Sequence, residues 1–64
     1  MDFVYVFLYG HEWEDVVIFL SEEEAIRESI KHPNQRVEIF SINNTRGYTP
    51  TYNYYKNGEY IQNS

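Results

Sequence analysis

The sequence predicts a small α+β fold: a mostly antiparallel sheet with one helix on one face, in a single domain spanning residues 1–64. Three observations carry this. Short runs with apolar residues on both alternating faces mark strands at residues 3–9, 15–20 and 36–42. One stretch, Ser21-Glu22-Glu23-Glu24-Ala25-Ile26, has the signature of a helix start. The tail contains Asn57-Gly58 between tyrosine-rich runs, the strongest short hairpin signal.

Taken in order, the first strand alternates Phe3, Tyr5, Phe7 and Tyr9 with Val4, Val6 and Leu8, so a central position covered on both sides suits it. Gly10 to Glu14 reads as a reversal in which Gly10 is free to take a positive φ. A second strand follows from Asp15 to Leu20. The helix then runs from Glu22 to Lys31 with no loop residue between. Ser21 and Glu24 are spaced for reciprocal side-chain capping, and Leu20 can pack on Ala25 as a hydrophobic staple. Three glutamates in the first turn and Lys31 in the last suit the helix dipole. The buried stripe is Ala25, Ile26, Ser29 and Ile30, and Pro33 ends the helix. A third strand covers Arg36 to Ile42, and Ser41 to Pro50 is polar and reads as a loop. In the terminal hairpin a two-residue turn sets Lys56 opposite Glu59, Tyr55 opposite Tyr60 and Tyr54 opposite Ile61.

The loopless strand-to-helix junction fixes the topology. The helix must return over the sheet, so strand three runs parallel to strand two and strand one sits between them. The order is 2-1-3, with the tyrosine hairpin at one end and a right-handed crossover. A ten-residue helix covers only one face of such a sheet. The expectation is therefore a symmetric homodimer through aromatic side chains, with Phe3, Tyr5, Phe7, Tyr9, Tyr52, Tyr54, Tyr55 and Tyr60 as candidate interface residues.

Composition limits the chemistry. There is no cysteine, which excludes thiolate metal sites, thiol nucleophiles and disulfides. Eight of the ten acids but only one of the five Lys and Arg residues lie in residues 1–30, an acidic half that disfavours nucleic-acid binding. Arg46 and Lys56 beside the tyrosines are a thin footprint for stacking single-stranded bases. His11-Glu12-Trp13-Glu14-Asp15 gathers one histidine and three carboxylates, read as a solvated acidic turn, with His32 the only other histidine. The glutamates at 22–24 are accounted for by helix capping and Ser21 lacks a nearby base, so no catalytic residue, metal site or cofactor is expected. Glu12, Trp13, Glu14 and Asp15 form an alternative partner-binding group, in which an exposed Trp13 would act as an anchor. The expected arrangement instead folds Trp13 back over the core. The start of the chain shows no basic leader or membrane-length apolar run, which suits a soluble intracellular protein, and makes the Asn43-Asn44-Thr45 sequon an accidental match.

Several strings occur together: Trp13-Glu14-Asp15-Val16-Val17, Ser21 to Ile26, Pro33-Asn34, Arg36 to Phe40, Gly47-Tyr48-Thr49-Pro50 and Tyr54 to Tyr60. Across nearly the whole chain this pattern resembles a family of small proteins of large double-stranded DNA viruses, marseillevirus-type viruses among them. The family brings no catalytic residues. The resemblance implies an intracellular viral protein, in the host cytoplasm or nucleus or packaged in the virion. Two functional expectations follow: a non-enzymatic structural or accessory interaction protein acting as a homodimer, or an acidic decoy occupying a basic or nucleic-acid-binding site on a host protein.

Overall fold

The computed structural model describes residues 2–63; Met1, at the head of the expected first strand, lies outside them. The chain forms β1 (Phe3–Leu8), a 3₁₀ turn (Trp13–Asp15), β2 (Val16–Phe19), α1 (Glu22–Lys31), β3 (Val37–Asn43), β4 (Gly47–Lys56) and β5 (Glu59–Ile61). The strands make one five-stranded sheet in the order β2-β1-β3-β4-β5, with every neighbouring pair antiparallel. The expected central order 2-1-3 and terminal hairpin are both present. β1 lies between β2 and β3, which run parallel to each other across it.

The sheet separates the side chains of β1 cleanly. Tyr5 pairs with Phe19 and Ile39, and Phe7 pairs with Val17 and Val37, so these residues share one face. On that face the helix lays down Ala25 and Ser29, both fully buried, and Phe7, Val37, Ile39 and Tyr55 complete the core with Tyr5. The small helix residues let the backbone come close, and the large rings fill the space beneath. Of the expected stripe, Ala25, Ser29 and Ile26 face this core, while Ile30 stays exposed beside the hairpin turn.

Ser29 ties the helix to the hairpin. Its hydroxyl donates to the Ile26 carbonyl at 2.7 Å and accepts the Gly58 N–H at 2.9 Å. Asn57 and Gly58 have φ of 51° and 81°, the two positive values a type I′ turn requires. A Cβ at Gly58 would stand 3.0 Å from Ile30 Cγ1, so glycine is needed there twice over. The hairpin register pairs Lys56 with Glu59, Tyr55 with Tyr60 and Tyr54 with Ile61, as the turn residues predict.

Four local expectations are corrected. Ser21 occupies the N-cap position with extended backbone (φ −114°), but its hydroxyl makes no capping hydrogen bond; the first turn is served by its three glutamates in the dipole field. Leu20 is exposed rather than stapled. Gly10 does not take a positive φ; it is small because Asp15 folds against it, and a Cβ there would meet the Asp15 carboxylate. The segment from Ser41 to Pro50 is mostly strand: β3 runs on to Asn43 and β4 starts at Gly47, with only residues 44–46 left as a turn. Asn43 Oδ1 accepts the N–H groups of Thr45 (2.9 Å) and Arg46 (3.2 Å), closing an Asx turn that pairs Asn43 with Gly47 and starts β4 at Gly47 rather than after Pro50. Pro50 is tolerated because β5 pairs only with residues 54–56, leaving the first half of β4 as an edge.

β4 is irregular opposite Ile39. Pro50 pairs with Phe40 and Tyr54 with Glu38, so residues 51–53 bulge past one residue of β3. Thr51 Oγ1 fills the interrupted ladder by donating to the Ile39 carbonyl (2.8 Å) and accepting the Asn53 N–H (3.1 Å). Tyr52 at the apex has a φ of 70°, a left-handed conformation that costs a bulky residue about 1–3 kcal/mol.

Replacing Ser29 with alanine leaves the Gly58 N–H without its acceptor, and should lower the unfolding free energy by about 1–3 kcal/mol. Urea unfolding followed by circular dichroism measures this. Gly58→Ala should destabilise by more than about 1 kcal/mol in the same assay, because both its φ and Ile30 oppose a methyl group.

Candidate functional site

The sheet face opposite α1 is built from the other alternating set. Val4 pairs with Phe40, Val6 with Ile18, and Leu8 with Val16; beyond them Phe40 pairs with Pro50 and Ile42 with Tyr48. No helix lies over this face. Leu8, Ile18 and Ile42 are 44%, 56% and 52% exposed, so aliphatic side chains are presented to solvent across neighbouring strands. Between Val6, Leu8, Val16, Arg36 and Phe40 the surface dips into a groove of about 470 Å³.

The charged groups here balance one another. Arg36 Nε lies 3.2 Å from Glu38 Oε2, and its guanidinium stacks 4.6 Å from the centre of the Tyr54 ring. Lys56 stands opposite Glu59 in the hairpin. The unpaired acids sit elsewhere, in the first turn of α1 and in the Glu12–Asp15 turn.

The structure redistributes the aromatic residues expected at an interface. Tyr5, Phe7 and Tyr55 are buried on the helix side and belong to the core. Phe3 and Tyr60 are exposed along the same side, by register with Ser41 and Tyr55. Tyr9 turns to α1, its ring 4.5 Å from Phe7 and edge-on to it. Tyr52 stands out from the bulge. Among the eight, only Tyr54 belongs to the open face, opposite Glu38. The residues of the open face that sequence reasoning did not single out are Val6, Leu8, Val16, Ile18, Phe40 and Ile42, with Val4 buried among them. A signal for them existed in the helix: Ala25 and Ser29 leave space that only the ring-bearing side of β1 can fill, which sends the Val-Val-Leu side outward.

Two glutamates on α1 receive tyrosine hydroxyls. Tyr9 donates to Glu28 Oε1 at 2.9 Å, and His32 Nε2 lies 3.3 Å from the same oxygen, with Lys31 Nζ at 4.0 Å from Oε2. That hydrogen bond is the main reason the Tyr9 hydroxyl is held above its ordinary pKa. Tyr55 donates to Glu22 Oε2. Burial, then this hydrogen bond, pushes the Tyr55 hydroxyl well above the ordinary range, and burial with the Glu22 charge raises Tyr5 as well. Around Glu22 the rings of Phe3, Tyr5, Tyr55 and Tyr60 surround a pocket of about 220 Å³.

Trp13 does not fold back. The 3₁₀ turn stands off the end of the sheet, held by the Tyr9 N–H on the Asp15 carbonyl (3.0 Å) and by the Glu12 N–H on Asp15 Oδ2 (3.4 Å). It buries none of its own residues, and Trp13 is 79% exposed between Glu12 and Glu14. Among the described residues no three His, Asp or Glu side chains converge as metal ligands, and no helix is long and apolar enough to cross a membrane.

No family model, curated protein or solved structure matches the chain.

The tyrosine hydroxyls set an alkaline limit on stability. Their folded pKa values lie above the unfolded value of about 10, so their contribution is complete below that pH and is lost as pH rises through the folded values. Urea unfolding between pH 8 and 11 should show a constant free energy up to about pH 10 and a decline beyond it. Tyr55→Phe should flatten that decline.

Proposed function

We propose that this protein is a non-enzymatic interaction module that works as a homodimer, with the open sheet face as the contact. The observation that supports it most is the combination of exposed aliphatic residues with locally neutralised charge on that face. A chain of net charge −5 repels its own copy at most orientations. The open face is where the charges cancel, through Arg36 with Glu38 and Lys56 with Glu59, so a second copy meets apolar surface without opposing like charge. A heterologous basic partner would gain nothing there from the acids at Glu22–Glu24 and Glu12–Asp15. Packing two such faces joins two one-helix layers into a four-layer body, helix-sheet-sheet-helix, with a shared apolar centre. The resemblance to proteins of large DNA viruses supplies the setting for this reading, a structural or accessory role in the infected cell or the particle.

A second reading rests on Trp13. An indole exposed between two carboxylates, on a turn fixed by Asp15, suits docking into a basic site of another protein that has an apolar slot for the ring. Such binding would weaken steeply with salt, whereas self-association through the aliphatic face would not.

In analytical ultracentrifugation at tens of micromolar the chain should sediment at twice its 7.8 kDa mass. Ile18→Glu and Leu8→Glu, at exposed positions, should return it to the monomer mass with an unchanged circular dichroism spectrum. A wild-type chain that stays monomeric would remove the reading.

A further inference from the structure

We propose that the aromatic pocket around Glu22 is a binding site for a quaternary ammonium group, such as the head of trimethylated lysine or of choline. The pocket lies on the helix side of the sheet, opposite the open face, so this inference stands apart from the dimer reading.

The walls are rings set at angles to one another. Tyr5 and Tyr55 have centroids 6.2 Å apart with planes inclined at 47°, and Tyr55 and Tyr60 are 5.8 Å apart at 60°. Phe3 adds a fourth ring. Rings inclined in this way do not form the parallel slot that takes a flat base; they leave a recess with aromatic walls on more than one side, the kind of surface that attracts a cation. The volume of about 220 Å³ is small beside the ~300–1,000 Å³ of drug-sized pockets, and fits a compact head group rather than a nucleotide.

The charge has one sign. Among the described residues, Glu22 is the only ionised side chain lining the pocket, and no Lys, Arg or His lines it. The Tyr55 hydroxyl engages Oε2 and orients the carboxylate, and among the described residues no hydrogen bond is made to Oε1. The Tyr5 and Tyr55 hydroxyls are held above their ordinary pKa first by burial and then by the neighbouring charge of Glu22. An anion is repelled there. A primary ammonium brings three N–H donors, of which the Glu22 carboxylate takes one, while the others exchange water for a wall that is mostly carbon. A methylated ammonium keeps its charge, carries no donors, and matches both the rings and the carboxylate.

The backbone is shaped toward the same place. Thr51 and Asn53, which flank Tyr52 in its left-handed conformation, line the pocket. A regular ladder would avoid that strain, and strain of this kind collects where a binding surface requires it.

The test is an NMR titration of the full chain with four small probes. These are choline, its neutral isostere in which carbon replaces nitrogen, and the blocked amides of trimethyl-lysine and of unmodified lysine. The ring resonances of Tyr5, Tyr55 and Tyr60 should shift with choline or with the trimethyl-lysine amide, and binding should be ~10-fold tighter than for the matching isostere or unmodified lysine. Whichever cation binds more tightly identifies the source, a lipid-type head group or a modified protein. Glu22→Gln and Tyr60→Leu should each weaken binding several-fold while the amide spectrum away from the pocket is unchanged. Equal binding of choline and its isostere would overturn the proposal, as would the absence of ring shifts with every probe.

Discussion

The structure depends on a mismatch of area: one ten-residue helix must serve a five-stranded sheet. A sheet with apolar residues on both sides of its central strand needs cover on both, and α1 can supply only one layer. The helix meets this by close approach. Ala25 and Ser29 present almost no side-chain volume, which brings the helix down onto Phe7, Val37 and Tyr55 and makes the ring-bearing side of β1 the interior. The aliphatic side is then the outer face by the alternation of the strand alone. Everything proposed about association follows from that division.

Polar bonds secure the arrangement at the edges of the helix. Ser29 holds the hairpin turn through the Gly58 N–H, Glu22 takes the hydroxyl of Tyr55 from β4, and Glu28 takes that of Tyr9 just past β1. Two of these links tie the helix to the distant C-terminal hairpin, since Tyr55 is 33 residues from Glu22 and Gly58 is 29 from Ser29. In a domain this small, where a single core buries only about 60% of the surface exposed on unfolding, such crosslinks carry a larger share of stability than in larger folds. They also give Glu22 two uses, fixing Tyr55 and charging the aromatic pocket.

Much of the architecture was legible because it rests on local rules. The helix limits, the Asn57-Gly58 turn with its register, and the order of the first three strands come from the first-turn glutamates and Pro33, turn chemistry and a strand-to-helix junction of two residues, Leu20 and Ser21. What was not legible depended on competition between interactions. Asn43 bends the chain with its own side chain and so turns an apparently loose segment into β4. Nothing in Thr51-Tyr52-Asn53 announces the bulge that these residues form. The aromatic residues drew attention as an interface, yet ring volume is also what a helix of small residues needs beneath it. Trp13 followed its charged neighbours outward rather than its own apolar surface.

The central claim is that the two faces of this sheet differ in kind, one an intramolecular core and the other a surface that becomes buried when two copies meet. Methyl NMR with an inert paramagnetic chelate in the solvent, recorded from dilute to concentrated protein, reads both faces at once. The account predicts that the Ala25 methyl is shielded at every concentration, while the methyls of Leu8, Ile18 and Ile42 are strongly broadened when dilute and become shielded as concentration rises. Methyls of the open face that stay equally accessible throughout, or an Ala25 methyl as accessible as theirs, would contradict it.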